Sequence, residues 1–193
     1  MPNPRYSLAC AFGALLFASA CSKSTTEQQS LPPLETVSSV DLERYVGTWY
    51  EIASYPQRFQ KDCTGTTATY AAKPNGQIDV LNRCRKGSLE GPLDEAQGRA
   101  RVVDEKTRAK LEVSFFGPFW GDYWIIDLDE DYRYAVVGHP GRDYLWILSR
   151  EPQLDPETTD GILERLREQH YDTSRLQWTL QPPAEQADRT ARR

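Results

Sequence analysis

The 193-residue chain contains one Met, two His and four Cys, and its 23 Lys and Arg are outnumbered by 28 Asp and Glu. Each scarcity narrows the field. A net charge of −5 offers no basic excess to neutralise phosphates, which argues against nucleic acid as a partner. His139 sits in the turn Gly138-His139-Pro140-Gly141 and His170 near a helix C-terminus, so neither belongs to a metal-ligand motif. The sequence has no Gly-x-Ser-x-Gly, no P-loop and no dinucleotide fingerprint. No catalytic residue, metal or cofactor is therefore expected. Asp127, Asp129, Glu130 and Asp131 crowd one strand end, but a calcium loop would also need a Gly in register and a closing Glu. They read as a solvated turn. Long apolar runs are also missing. The stretch from Leu8 to Ala20 is too short to span a bilayer as a permanent helix.

That stretch has the makings of a secretory signal over residues 1–20. A lone Arg5 precedes the apolar segment, and small residues follow it. The alternative is a buried N-terminal helix. Ala18-Ser19-Ala20-Cys21 resembles the lipobox of bacterial lipoproteins, with Ala18 where Leu is usual. The resemblance implies that Cys21 becomes the acylated first residue. Ser22, rather than Asp, implies the outer membrane and not the inner one. Several acyl chains, each contributing ~0.8 kcal/mol per buried CH₂, suffice for stable anchoring. Losing the leader removes Arg5 and no acid, which takes the charge to −6. Residues 21–39 are rich in Ser, Thr, Gln and Pro without periodicity, and read as a flexible tether. Residues 182–193 read as a polar, disordered tail.

Of the four Cys, Cys10 leaves with the leader and Cys21 is the lipid site. Cys63 and Cys84 remain, in an oxidising compartment. They flank a hairpin with strands at 66–72 and 77–84 around the turn Lys73-Pro74-Asn75-Gly76. Counting outward from the turn brings the two Cys nearly opposite, so a disulfide is expected. Free thiols or a metal pair are the alternatives, the latter weakened by the lack of a nearby His.

Gly47-Thr48-Trp49-Tyr50-Glu51-Ile52-Ala53 opens a series of strands. Alternation places Trp49, Glu51, Ala53 and Tyr55 on one face, and Tyr50, Ile52 and Ser54 on the other. Further strands follow at 66–72, 77–84, 97–104, 110–116, 122–128, 133–138 and 144–149, separated by regular turn signals. Short strands so spaced indicate an antiparallel sandwich or barrel, and eight can close around one small ligand. A helix starts at Asp155-Pro156, with the apolar stripe Ile162, Leu163 and Leu166 against the barrel's outside. Asp160, Glu164, Arg165 and Arg167 should face water. Residues 176–180 read as a last strand returning near the first.

Tyr45-Val46-Gly47-Thr48-Trp49-Tyr50-Glu51-Ile52-Ala53 matches the first lipocalin motif. Gly121-Asp122-Tyr123 resembles the second, where Thr is more usual than Gly, and Asp143-Tyr144-Leu145-Trp146-Ile147-Leu148-Ser149-Arg150 matches the third. Thr67-Ala68-Thr69-Tyr70, Val80-Leu81-Asn82 and Val113-Ser114-Phe115-Phe116-Gly117-Pro118-Phe119 resemble the bacterial outer-membrane subgroup, close to apolipoprotein D. The resemblance covers residues 40–181. It implies an all-β fold, an eight-stranded antiparallel up-and-down lipocalin barrel with one C-terminal α-helix packed outside. It also implies that Arg150 covers Trp49 and seals the closed end, a cation–π contact worth ~1–2 kcal/mol. Gly47, Trp49, Asp122, Tyr123 and Arg150 then maintain the fold. Trp146, four residues from Arg150 along a strand, should face the lumen above it. Trp120, in the loop from Gly117 to Gly121, should sit near the open mouth. Trp146 and Trp120 are the ligand-binding expectations; the alternative is that both are core.

The implied function is a lipid-anchored lipocalin of the bacterial outer membrane, facing the periplasm. It would bind fatty acids or lysophospholipids for lipid storage, transport or membrane maintenance. Related lipocalins can be homodimers. Two other classes compete: an isomerase-type enzyme using Cys63 as a free thiolate, and a non-binding structural envelope lipoprotein whose barrel is filled by side chains. A free-thiol count separates the enzyme from the binding protein.

Overall fold

A computed structural model of the protein describes residues 31–184. A short helix, α1 (Leu42–Tyr45), leads into eight strands. They are β1 (Gly47–Ser54), β2 (Cys63–Ala72), β3 (Ile78–Lys86), β4 (Leu93–Val102), β5 (Lys110–Ser114), β6 (Gly121–Leu128), β7 (Tyr134–Gly138) and β8 (Leu145–Ser149). Helix α2 (Pro156–Glu168) and a two-residue strand β9 (Gln177–Trp178) complete the fold. Each of the eight strands pairs antiparallel with the next, and β1 pairs with both β2 and β8. The sheet therefore closes into the expected eight-stranded barrel.

Strand alternation sorts the apolar side chains into two layers. The inner one lines the lumen and contains Trp49, Tyr70, Val80, Leu111, Tyr123 and Ile125. The outer one lies between the wall and α2, where Ile126, Val136 and Ile147 meet Ile162 and Leu166. Full burial of two such aliphatic side chains stabilises the helix's docking by ~1.5–3 kcal/mol each. Asp155 caps α2, accepting from the Thr158 amide at 2.9 Å, and Pro156 occupies the first turn. Arg165 stays partly in water, its side chain 43% exposed, and also reaches back to the wall. It donates to Asp127 and to the Tyr134 hydroxyl, both at 2.8 Å, and so ties α2 to β6 and β7. Gly138 of β7 has a packing reason: a Cβ there would stand 2.2 Å from the hydroxyl of Tyr171, which lies over it.

The regular alternation expected for β1 is broken. A register shift between Glu51 and Ala53 inserts a bulge. Trp49 belongs to the lumen cluster, whereas Ala53 and Tyr55 belong to the outer cluster. Beyond the bulge, β1 parts from β2 and pairs with β9. Gln181 spans the gap, its Nε2 donating to the Glu51 carbonyl at 2.7 Å and to the Thr66 carbonyl at 2.8 Å.

Residues 31–39 are not a free tether. Leu34 is buried under the outer cluster, and the Val37 amide donates to the Ile125 carbonyl at 3.0 Å. Arg142, itself nearly buried, donates to the Pro32 carbonyl at 2.9 Å. The signal segment 1–20, Cys21, residues 22–30 of the tether and residues 185–193 of the tail lie outside the described residues. Cys63 and Cys84 form the disulfide, with Cα atoms 5.4 Å apart.

Candidate functional site

The barrel has one closed end and one open end. Residues 40–46 cover the closed end: the Val40 amide donates to the Thr107 carbonyl, and the Asp41 amide to the Tyr132 hydroxyl at 2.7 Å. Trp49 is fully buried there, with Arg150 stacked 3.7 Å from its ring centre. The Trp49 indole donates to the Tyr45 carbonyl at 2.8 Å. Gly47 adopts φ +98°, a left-handed conformation that disfavours other residues, and a Cβ would press on Arg150 at 3.3 Å. The second motif contributes through Tyr123, whose hydroxyl lies 2.7 Å from that of Tyr45 and 2.9 Å from that of Tyr70. Burial pushes the Tyr70 phenol up to about 12 and raises those of Tyr45 and Tyr123 well above normal, so all three stay protonated at neutral pH. Asp122 instead points outward, 3.7 Å from His139.

The up-and-down order sends the β1–β2, β3–β4, β5–β6 and β7–β8 loops to the opposite end. Apolar side chains stand exposed around it: Phe59 at 63%, Phe116 at 79% and Phe119 at 75%, with Leu93 and Tyr144 nearby in the same rim. Trp146 comes from β8, packs against the lumen cluster and shares its face with Leu148. Tyr144 stacks on it at 5.9 Å between ring centres. The Trp146 indole donates to Gln60 Oε1 at 3.0 Å, and Gln60 Nε2 donates to Glu51 Oε2 at 2.6 Å. Glu51 is 6% exposed and also accepts from Thr179 and Ser54. A cavity of about 550 Å³ opens under the β1–β2 loop, lined by Glu51, Gln60, Arg58, Lys61 and Trp178 among others. It shares Glu51 and Gln60 with the Trp146 network.

Trp120 is placed differently from the expectation. Its loop is at the open end, but the ring packs beneath Arg101 at 4.2 Å and Arg99 at 5.2 Å. Those arginines flank Ala100, which belongs to the lumen cluster, so they project outward. Trp120 therefore lies on the outer wall, and the structure does not bring it together with Trp146. Sequence reasoning missed Glu51 and Gln60. A carboxylate two residues after Trp49, on the expected inner face, was the available signal. Among the described residues no group of three or more His, Cys, Asp or Glu is placed to hold a metal ion.

Comparison with known proteins agrees with this architecture. A family model for a lipocalin-like domain matches residues 40–181. The chain is 40% identical over 177 residues to the outer membrane lipoprotein Blc of Escherichia coli K12, covering 91% of this chain and 96% of that one. It is 41% identical over 167 residues to temperature-induced lipocalin-1 of Arabidopsis thaliana, covering 82% of this chain and 88% of the relative. With mouse apolipoprotein D it shares 34% identity over 160 residues, 78% of this chain and 80% of the other. The solved structure of insecticyanin from Manduca sexta superposes with a TM-score of 0.65 at 22% identity, over 80% of this chain and 88% of that one, a likeness of fold alone. With the closed barrel, the Trp49–Arg150 seal and a family match across residues 40–181, the chain belongs to the lipocalin family.

Proposed function

We propose that the protein is a lipid-anchored outer-membrane lipocalin that takes a fatty acid or lysophospholipid into the barrel lumen, for storage or transport of lipid and maintenance of the membrane. The observation that carries the reading is the inward placement of Trp146, against the lumen cluster and within reach of the rim through Tyr144. An acyl chain laid along that wall gains ~0.8 kcal/mol per buried CH₂ before ordering costs. Micromolar affinity is therefore within reach without a charged partner. Arg58 and Lys61, on the β1–β2 loop, supply cations for a phosphate head group. Anchoring through acylated Cys21, with the barrel facing the periplasm, is supported by the lipobox resemblance and by the name of the Escherichia coli relative.

The isomerase alternative needs Cys63 as a free thiolate, whereas Cys63 is bonded to Cys84. Titration of the delipidated protein with hexadecanoic acid or a lysophospholipid, followed by tryptophan fluorescence and calorimetry, tests the binding reading. Trp146→Ala should weaken binding about tenfold, as expected for losing a desolvated aromatic contact. Trp120→Ala, on the outer wall, should change it far less. Equal affinities for the wild type and a folded Trp146→Ala protein would move the site out of the lumen. No binding at all would favour a filled, structural barrel.

A further inference from the structure

The lumen is not uniformly apolar. Tyr45, Tyr70 and Tyr123 place three hydroxyls near its closed end, and Tyr123 bridges the other two. Three O–H donors share only two oxygen–oxygen contacts, so one donor has no acceptor within the group. The raised phenol pKa values keep that proton in place. Asn82 supplies the complementary need. It alternates with Val80 and Ile78, both in the lumen cluster, so its side chain is directed inward. Asn82 pairs with Ala68 and Val80 with Tyr70, which sets Asn82 one pleat step from Tyr70 toward the mouth. The Asn82 Oδ1 atom is buried and has no hydrogen-bond partner. Buried polar groups in native proteins are almost always satisfied, and an orphan calls for an explanation. The tyrosine cluster and the orphan acceptor thus lie on neighbouring strands, Tyr70 on β2 and Asn82 on β3, one pleat step apart on the inner face.

A hydroxyl is the group that answers both at once, because it accepts one hydrogen bond and donates another. A terminal methyl answers neither, and a carboxylate accepts but has no proton to donate to Asn82 Oδ1.

We propose that the inner end of the lumen is a hydrogen-bonding subsite for a hydroxyl carried at the far end of a long-chain lipid, which accepts from the tyrosine cluster and donates to Asn82. The inference rests on the lumen-binding reading above and names the ligand class more narrowly: a lipid hydroxylated at or near its distal end. The tyrosines and Asn82 are specificity-determining residues of that subsite, distinct from Trp146 nearer the mouth.

The test compares three probes on the delipidated full chain by calorimetry: hexadecanoic acid, 2-hydroxyhexadecanoic acid and 16-hydroxyhexadecanoic acid. The 16-hydroxy acid should bind about tenfold more tightly than the unsubstituted acid, the yield of one to two net hydrogen bonds. The 2-hydroxy acid, whose hydroxyl stays with the head group, should match the unsubstituted acid. Asn82→Leu should reduce the advantage of the 16-hydroxy acid to below about twofold while leaving hexadecanoic acid as tight or tighter, since it fills the subsite with apolar surface. The double substitution Tyr70→Phe with Tyr123→Phe should do the same. If the double variant does not fold, Asn82→Leu decides alone. Equal wild-type affinities for the 16-hydroxy and unsubstituted acids would overturn the subsite and leave lumen binding intact. A preference that survives Asn82→Leu would also overturn it. Failure of all three acids to bind would remove the lumen-binding reading, and the subsite with it.

Discussion

Arg150 stacks 3.7 Å from the ring of Trp49, and its guanidinium also donates to the carbonyls of Arg44, Tyr45, Val46 and Thr48. One side chain therefore closes the barrel floor and satisfies the carbonyls that α1 leaves without partners at its end. Burial lowers the guanidinium's pKa from its usual value. Arg150→Ala should cost about 2–4 kcal/mol, combining a cation–π contact with charge-assisted hydrogen bonds. Arg150→Lys should recover only part, because an ammonium cannot reproduce the planar fork. Urea denaturation of the three proteins checks this. A transition midpoint unchanged in Arg150→Ala would refute the closure role.

The Cys63–Cys84 bond closes a loop between residues 21 apart in sequence. The chain-entropy estimate for such a loop is ~3 kcal/mol. The Cys63→Ala, Cys84→Ala double variant should show that loss in urea, with ligand binding retained. Alkylation of both thiols by iodoacetamide without prior reduction would contradict the bond.

Alkaline pH should unfold the protein through its buried tyrosines. Burial raises the phenols of Tyr70 and Tyr171 to about 12, and those of Tyr45 and Tyr123 also rise. An unfolded tyrosine titrates near 10. Tyr70 and Tyr171 each therefore contribute stability that is complete below about pH 10 and is lost as pH climbs toward about 12, by ~1.4 kcal/mol per pH unit, and Tyr45 and Tyr123 act in the same direction. Melting temperatures should be flat from neutral pH to about pH 9.5 and fall steeply above it. Tyrosinate absorbance should then rise together with the loss of near-ultraviolet dichroism. Smooth ionisation of every tyrosine at full tertiary signal would count against this account.

Under the proposed anchoring, Cys21→Ala should leave the protein soluble or unprocessed. Fractionation after a salt wash reads the outcome. A variant still sedimenting with outer membranes would place the anchor elsewhere.

The strands, the hairpin disulfide and the capped helix were legible because each leaves a local trace: turn residues, alternation, or Asp155-Pro156 before an apolar stripe. The same locality explains the misses. Nothing in Glu51-Ile52-Ala53 announces a bulge, which arises where β1 must leave β2 and accept β9 from the far end of the chain. Residues 31–39 look like linker in composition, yet Leu34 and Val37 find apolar partners and a backbone carbonyl on a barrel already formed. The loop that carries Trp120 lies at the mouth. Its ring turned outward because Arg99 and Arg101 offer two guanidinium faces on the outer wall. Of the candidate site, the inward direction of Trp146 followed from counting along β8. The tyrosine cluster did not, since Tyr45, Tyr70 and Tyr123 come from three separate elements.

The hydrogen bonds of Gln181 reach back 130 residues to Glu51 and 115 to Thr66. Bridging the gap between the upper parts of β1 and β2 is thus assigned to the last described stretch of a chain whose first strand was made long before. During synthesis the upper parts of β1 and β2 have no neighbour on their facing edges, and exposed strand edges invite pairing with other chains. Contacts so distant in sequence also make folding slow compared with that of a helical protein of equal size. A truncation of few residues in that C-terminal stretch should therefore do disproportionate harm to the seam between β1 and β2.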